Sequence, residues 1–195
     1  LAKSSRSKSP AASDAAEDDR FGNSVSIYGN VAVVGAYWDD GAIAEIHSGS
    51  AYVFRFNGSA WLEEQKLTAW DADFADNFGT SVSTTGSVAV VGALYDDCQS
   101  GGDCGSAVVY RFNGSTWIQE QKLTASDPVR DDRLGVAVSV SGDTALVGAY
   151  LKRCPMGNVG CGAAYVFELV DPDHNDDGTF ELCEDCDNNG TADGL

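Results

Sequence analysis

The chain has 195 residues, 43% of them hydrophobic, which is room for one folded domain with a substantial core and excludes a disordered tract. Thirty acidic residues stand against 12 basic ones, and the net charge of -18 repels nucleic-acid phosphates and anionic lipid while attracting cations. No apolar run approaches the ~20 residues that a membrane-crossing helix needs, so neither nucleic-acid binding nor membrane insertion is expected.

The chain opens at Leu1 without an initiator Met or an apolar signal core, the pattern of a secreted chain after signal removal or of a trimmed one. Beyond a Ser-rich start, Ser24 to Tyr28 alternates polar and apolar residues, Gly29-Asn30 turns, and Val31 to Ala36 is a short apolar run. This predicts two strands joined by a tight hairpin. Ser50 to Phe56 alternates again, Asn57-Gly58 predicts a type I′ turn, and Trp61 to Leu67 a fourth strand. The unit is a four-stranded antiparallel meander.

It then recurs. Phe21-Gly-Asn-Ser-Val-Ser returns as Phe78-Gly-Thr-Ser-Val-Ser and as Leu134-Gly-Val-Ala-Val-Ser, at spacings of 57 and 56 residues. The second unit repeats Val88 to Ala93, Ala107 to Phe112, Asn113-Gly114 and Trp117 to Leu123. The third keeps Thr144 to Ala149 and Ala163 to Phe167 but runs into an acidic tail where its fourth strand belongs. Shifting the first unit back by 57 residues sets Lys8 to Asp14 under Gln65 to Asp71, so the N-terminus reads as a stray fourth strand, weakened by Pro10. Three strands at one end and one at the other suggest closure by strand exchange, and repeats that cannot cover their own faces must stack.

Phe-Gly-x-Ser-Val-Ser, Val-Ala-Val-Val-Gly-Ala, Gly-Ser-Ala-Tyr-Val-Phe and Glu-Gln-Lys-Leu-Thr-Ala-x-Asp resemble bacterial FG-GAP repeats, relatives of integrin α-chain propeller blades, over about residues 14 to 170. The resemblance implies β-propeller blades, an extracellular location and a role in adhesion or recognition, and it leaves activity open. The expected fold is all-β: three four-stranded antiparallel blades, the third completed by an N-terminal strand in cis or in trans, plus an irregular calcium-binding tail. The expected organisation is a donor or closing strand and linker over 1–20, blades over 21–73 and 74–131, an incomplete blade over 132–170 and the tail over 171–195. Integrin-type repeats carry a calcium loop between their first two strands. Here only Tyr28-Gly-Asn30, Thr85-Gly-Ser87 and Ser141-Gly-Asp143 stand there, too few residues to supply the ~6 to 8 oxygens calcium takes.

Calcium chemistry is concentrated in the tail. Asp173-His-Asn175-Asp-Asp177-Gly178-Thr179-Phe-Glu181-Leu-Cys-Glu184 fits the loop pattern D-x-[DN]-x-[DN]-G-x5-E. Asp173, Asn175 and Asp177 would give side-chain oxygens, Thr179 its carbonyl, Glu181 a direct or water-borne contact and Glu184 a bidentate carboxylate. A second half-loop follows at Asp185, Asp187, Asn189, Thr191 and Asp193. With no helix-length segment between them, the loops resemble thrombospondin type 3 repeats or half a dockerin more than paired EF-hands.

Six cysteines fall as three close pairs, Cys98/Cys104, Cys154/Cys161 and Cys183/Cys186, expected as local disulfides in an oxidising compartment, although 15 connectivities are formally open. Cys183-x-x-Cys186 lacks the βαβ context of a redox motif and the second pair of a zinc site. Asn57-Gly-Ser59, Asn113-Gly-Ser115 and Asn189-Gly-Thr191 match the glycosylation sequon, but each is explained by its turn or loop. Trp61 and Trp117 recur and read as blade packing, whereas Trp38 and Trp70 do not recur and are candidates for a surface contact. His47 and His174 are the only histidines, and no nucleophile motif accompanies them, so no catalytic residue is assigned. The expectation is a secreted, non-catalytic structural protein whose partner is itself, joined head to tail into a filament or matrix and stabilised by Ca2+. The competing one is an extracellular adhesion or recognition module, part of a larger propeller, that binds a surface protein or glycan.

Overall fold

A computed structural model describes residues 10–40, 47–98, 101–153 and 160–169. Eleven strands run in order: β1 Ser24–Tyr28, β2 Val31–Ala36, β3 Ser50–Phe56, β4 Trp61–Leu67, β5 Phe78–Thr84, β6 Val88–Ala93, β7 Ser106–Phe112, β8 Trp117–Leu123, β9 Leu134–Ser141, β10 Thr144–Ala149 and β11 Ala163–Glu168. They form three antiparallel sheets, β1-β2-β3-β4, β5-β6-β7-β8 and the three-stranded β9-β10-β11, hereafter blades 1, 2 and 3. The fold is the all-β array of propeller-type blades that the repeat predicts, with the fourth strand absent from the third sheet as described.

The hairpins follow from local chemistry. Tyr28 pairs with Val31 across the two-residue loop Gly29-Asn30, where Gly29 has φ +57°, a conformation that costs glycine nothing. The expected type I′ turn at Asn57-Gly58 is a different structure. β3 ends at Phe56 and β4 begins at Trp61, so the loop has four residues, and only Gly58 takes positive φ. The Asn57 Oδ1 accepts from the Ser59 and Ala60 backbone N–H groups, both at 2.9 Å, an Asx turn that satisfies the loop internally. Asn113 does the same with Ser115 and Thr116.

The middle strands are apolar on both sides because the blades stack face to face. Val31, Val33, Ala51, Val53 and Leu67 of blade 1 pack on Phe78, Val82, Val91, Val108 and Trp117 of blade 2. On the other side of blade 2, Val88, Val90, Val109 and Leu123 pack on Leu134, Val140, Ala145 and Val147 of blade 3. A third cluster lies on the blade 1 face turned away from blade 2, where Ala12 packs with Val34, Tyr52 and Phe54, joined by Phe21 and Trp61. Residues 10–20 thus run over the outer face of blade 1, in turns and not as a strand.

Candidate functional site

The contacts between neighbouring blades are made twice, by equivalent residues. Phe78 donates its backbone N–H to the Ser48 carbonyl at 2.9 Å, and Leu134 donates to Cys104 at 2.8 Å, giving single parallel bridges Gly49↔Phe78 and Gly105↔Leu134. The Ser24 and Ser81 hydroxyls each donate at 2.7 Å to the carbonyl of a glycine in the next blade, Gly79 and Gly135. Ser26 Oγ accepts from Thr84 N–H at 3.1 Å, and Ser83 Oγ from Val140 N–H at 3.0 Å. Gly79 sits at φ +92°, and a Cβ there would overlap the Ser50 carbonyl oxygen. The Phe-Gly motif is therefore a blade-to-blade contact, with glycine required by both conformation and closeness.

A third set of these contacts exists in two separated halves. Val33 and Val90 are 0% exposed, whereas their counterpart Leu146 is 45% exposed; Val53 and Val109 are 0% exposed, whereas Val166 is 68% exposed. At the opposite end, Val25 is 69% exposed where its counterpart Val82 is 8% exposed. Gly22 keeps the motif's φ of +90°, yet a Cβ on it would meet nothing within 4 Å. The free face of blade 3 is chemically the covered face of blades 1 and 2. The outer face of blade 1, crossed by residues 10–20 and open at Val25, is chemically the face that blades 2 and 3 turn towards their predecessors.

Each blade is also locked to the segment that precedes it by a lysine between carboxylates. Lys66 reaches Asp14 at 2.6 Å and Asp39 at 2.8 Å, and the Tyr52 hydroxyl donates to the same pair at 2.8 and 2.7 Å. Burial pulls the Lys66 pKa down, but the hydrogen bonds to Asp14 and Asp39 outweigh it and hold it above the usual range. Lys122 pairs likewise with Asp71 at 2.5 Å and Asp96 at 2.6 Å. Among the described residues blade 3 shows no fourth-strand lysine. Lys152 occupies the place of Asp39 and Asp96 and bridges Asp127 and Asp132, both at 3.0 Å, with the Tyr165 hydroxyl donating to Asp127 at 2.7 Å. Lining up Asp39, Asp96 and Lys152 on the repeat is the sequence signal that exposes this network.

Of the residues singled out from sequence, Cys98 and Cys104 form a disulfide with Cα atoms 5.5 Å apart. Cys161 is also disulfide-bonded, to a partner outside the described residues. Cys154, Cys183, Cys186, His174 and every proposed calcium ligand from Asp173 to Asp193 lie outside the described residues, as does Asn189. Trp117 is buried between blades 1 and 2, and Trp61 packs on the outer face of blade 1. Trp70 is exposed, whereas Trp38 is half-buried beside His47 with the Arg20 guanidinium 4.6 Å from its ring. Trp38, His47, Phe74, Asn77, Tyr95 and Asp103 line a cleft of about 440 Å³ where blades 1 and 2 meet. Among the described residues no group of three or more His, Cys, Asp or Glu side chains is placed to hold a metal, and no helix is long and apolar enough to cross a membrane.

No curated protein matches the chain. The FG-GAP repeat matches it three times, over residues 11–54, 61–110 and 117–167. The second and third matches open at Trp61 and Trp117, the first residues of β4 and β8, and close in β7 and β11, so the family unit runs from a fourth strand into the next blade. The first match begins only at residue 11, after the place of such a strand. With three repeats, each carrying the Phe-Gly motif or its Leu-Gly variant, this chain belongs to the FG-GAP repeat family.

Proposed function

We propose that the protein is a non-catalytic, extracellular structural module whose copies join head to tail, the free face of blade 3 seating on the free face of blade 1 of the next copy. One observation carries this reading: Leu146 and Val166 are open where Val33, Val90, Val53 and Val109 are fully covered, and on blade 1 Val25 is 69% exposed where its counterpart Val82, part of the cluster that covers Val33 and Val53, is 8% exposed. Exposed apolar patches of this kind mark interaction surfaces. A contact between two different faces of one chain is heterologous, so it propagates into a filament unless the rotation closes a ring. FG-GAP repeats are typically extracellular and non-catalytic, and the Cys98–Cys104 disulfide suits an oxidising compartment.

Light scattering after size exclusion tests the reading. The wild-type chain gives particles whose mass grows with protein concentration, and Leu146→Glu/Val166→Glu runs as a 20.4 kDa monomer with an unchanged circular dichroism spectrum. A wild-type monomer at every concentration contradicts it. The donor pattern from Asp173 to Glu184 supports a calcium ion that braces the tail. Calorimetric titration with Ca2+ is expected to give at least one site that Asp177→Ala removes; no heat of binding rejects the site. The cleft beside Trp38 favours a second reading, in which the blades present a recognition surface for a protein or glycan, and that reading predicts a monomer that binds through the cleft.

A further inference from the structure

Resting on this head-to-tail reading, we propose that residues 4–10 of a second copy supply the fourth strand of blade 3, antiparallel to β11 along its free edge. The repeat fixes the register. In blade 1, Ala51 pairs with Leu67, Val53 with Gln65 and Arg55 with Leu62; blade 2 repeats this as Ala107 with Leu123, Val109 with Gln121 and Arg111 with Ile118. Moving the pattern one repeat along sets Ala164 opposite Pro10, Val166 opposite Lys8 and Glu168 opposite Ser5 of the incoming copy. The donated segment has seven residues, as β4 and β8 have. The fourth strand is the outermost of each sheet, and Pro10 would stand at its last position, where a missing N–H is tolerated.

The junction is already in place. Asp14 contacts Lys66 as Asp71 contacts Lys122, so the segment entering blade 1 lies on it as the segment after β4 lies on blade 2. Ala12 sits in the cluster on the outer face of blade 1, the face turned away from blade 2 and hence from the chain's own blade 3. Pro10 therefore stands at the place on blade 1 where the fourth strand of a preceding blade would end, and in this proposal that blade belongs to another copy.

Two paired charge exchanges fit the same seam. Arg55 binds Glu64 at 2.6 Å and Arg111 binds Glu120 at 2.9 Å, each from third strand to fourth. In blade 3 the arginine position is Glu168, and the counterpart of Glu64 and Glu120 is Ser7, flanked by Arg6 and Lys8. The acid has moved to the third strand, and bases flank the position it holds in the other blades. Likewise the counterpart of Lys66 and Lys122 is Ser9, and Lys152 restores the missing cation from the other side of the seam. Residues 1–9 carry Lys3, Arg6 and Lys8 and no acid, in a chain of net charge -18. Charge complementarity of this kind selects partner and register, while backbone pairing along an open edge supplies affinity.

The test is a Lys8→Cys/Val166→Cys chain oxidised mildly and run on a non-reducing gel. A ladder of covalent multimers, lost in reductant, is expected; a cross-linked monomer overturns the second copy as donor, and no cross-link in a sample that still assembles overturns the strand. Glu168→Arg is expected to raise the concentration needed for assembly at least about tenfold, and adding Arg6→Glu/Lys8→Glu to restore it; no rescue overturns the proposal. Deleting residues 1–9 separates the two claims. If the truncated chain assembles like the wild type, the strand assignment falls and face stacking stands, whereas a monomeric wild type removes both.

Discussion

Blades 2 and 3 are built from the same repeat, yet one is covered on both sides and the other on only one. Val90 and Val109 of blade 2 are buried under blade 3, while Leu146 and Val166 of blade 3 face solvent. Blade 2 has its lysine on the fourth strand, and blade 3 has moved it to Lys152 on the loop after its second strand. The exposed face has kept its apolar residues, whereas the cation of the charge lock has moved from the fourth strand to the loop after the second. The difference teaches that, among the described residues, the apolar stacking face is retained in blade 3 even where no further blade covers it.

The largest effect should come from the Phe-Gly glycines, whose surroundings differ most between the ends. Gly79→Ala puts a Cβ into the Ser50 carbonyl at positive φ and is expected to cost at least about 3 kcal/mol in thermal unfolding, or to prevent folding. Gly22→Ala has the same backbone but open space around it, and should cost only about 1 kcal/mol while abolishing assembly. Equal losses of stability at both sites would erase the distinction between an internal contact and a waiting one.

Next come the lysine locks. Lys122→Met leaves buried Asp96 without its cation, and Lys152→Met does the same to buried Asp132, each expected to cost about 3 kcal/mol by denaturant unfolding. A much smaller loss for Lys152→Met would mean that blade 3 has not rebuilt the lock. Smaller again is the contrast of covered and open valines: Val53→Ala should cost about 2 kcal/mol, and Val166→Ala under about 0.5 kcal/mol in dilute monomer but more once copies assemble. Similar losses in dilute solution would argue that the blade 3 face is already covered.

A separate contrast is a pH slope that Asp76 gives blade 2. Burial, reinforced by Asp96, raises the Asp76 pKa to about 7 from 3.8. The folded chain therefore holds a proton there that the unfolded chain has lost, so this group's stabilising contribution is complete below about pH 4 and fades as pH rises to about 7. Asp76→Asn should flatten that part of the melting-temperature profile between pH 4 and 7; an unchanged slope would mean that Asp76 does not titrate in this range.

Strand positions and the three-unit array were legible because the alternation at Ser50–Phe56 and the apolar runs Val31–Ala36 and Val88–Ala93 are local patterns. The turn at Asn57-Gly58 was misread because the same dipeptide serves a two-residue hairpin and a four-residue Asx loop, and strand length decides between them. The lysine locks were not read from any one unit. Asp39 and Lys66 are 27 residues apart, and their meaning emerges only against Lys152, where acid has become base. The role of Trp38 also depended on packing, since Arg20 and His47 come to it from other segments. The tail's calcium pattern was legible as a pattern, and it lies outside the described residues.

A cryo-electron microscopy reconstruction of the assembled wild-type protein tests the central claim most directly. The account predicts that blade 1 of each copy stacks on blade 3 of its neighbour as blade 2 stacks on blade 1, with Phe21 against Gly162 in place of Phe78 against Gly49. Copies related by a two-fold axis through matching faces, or particles holding one chain each, would contradict it.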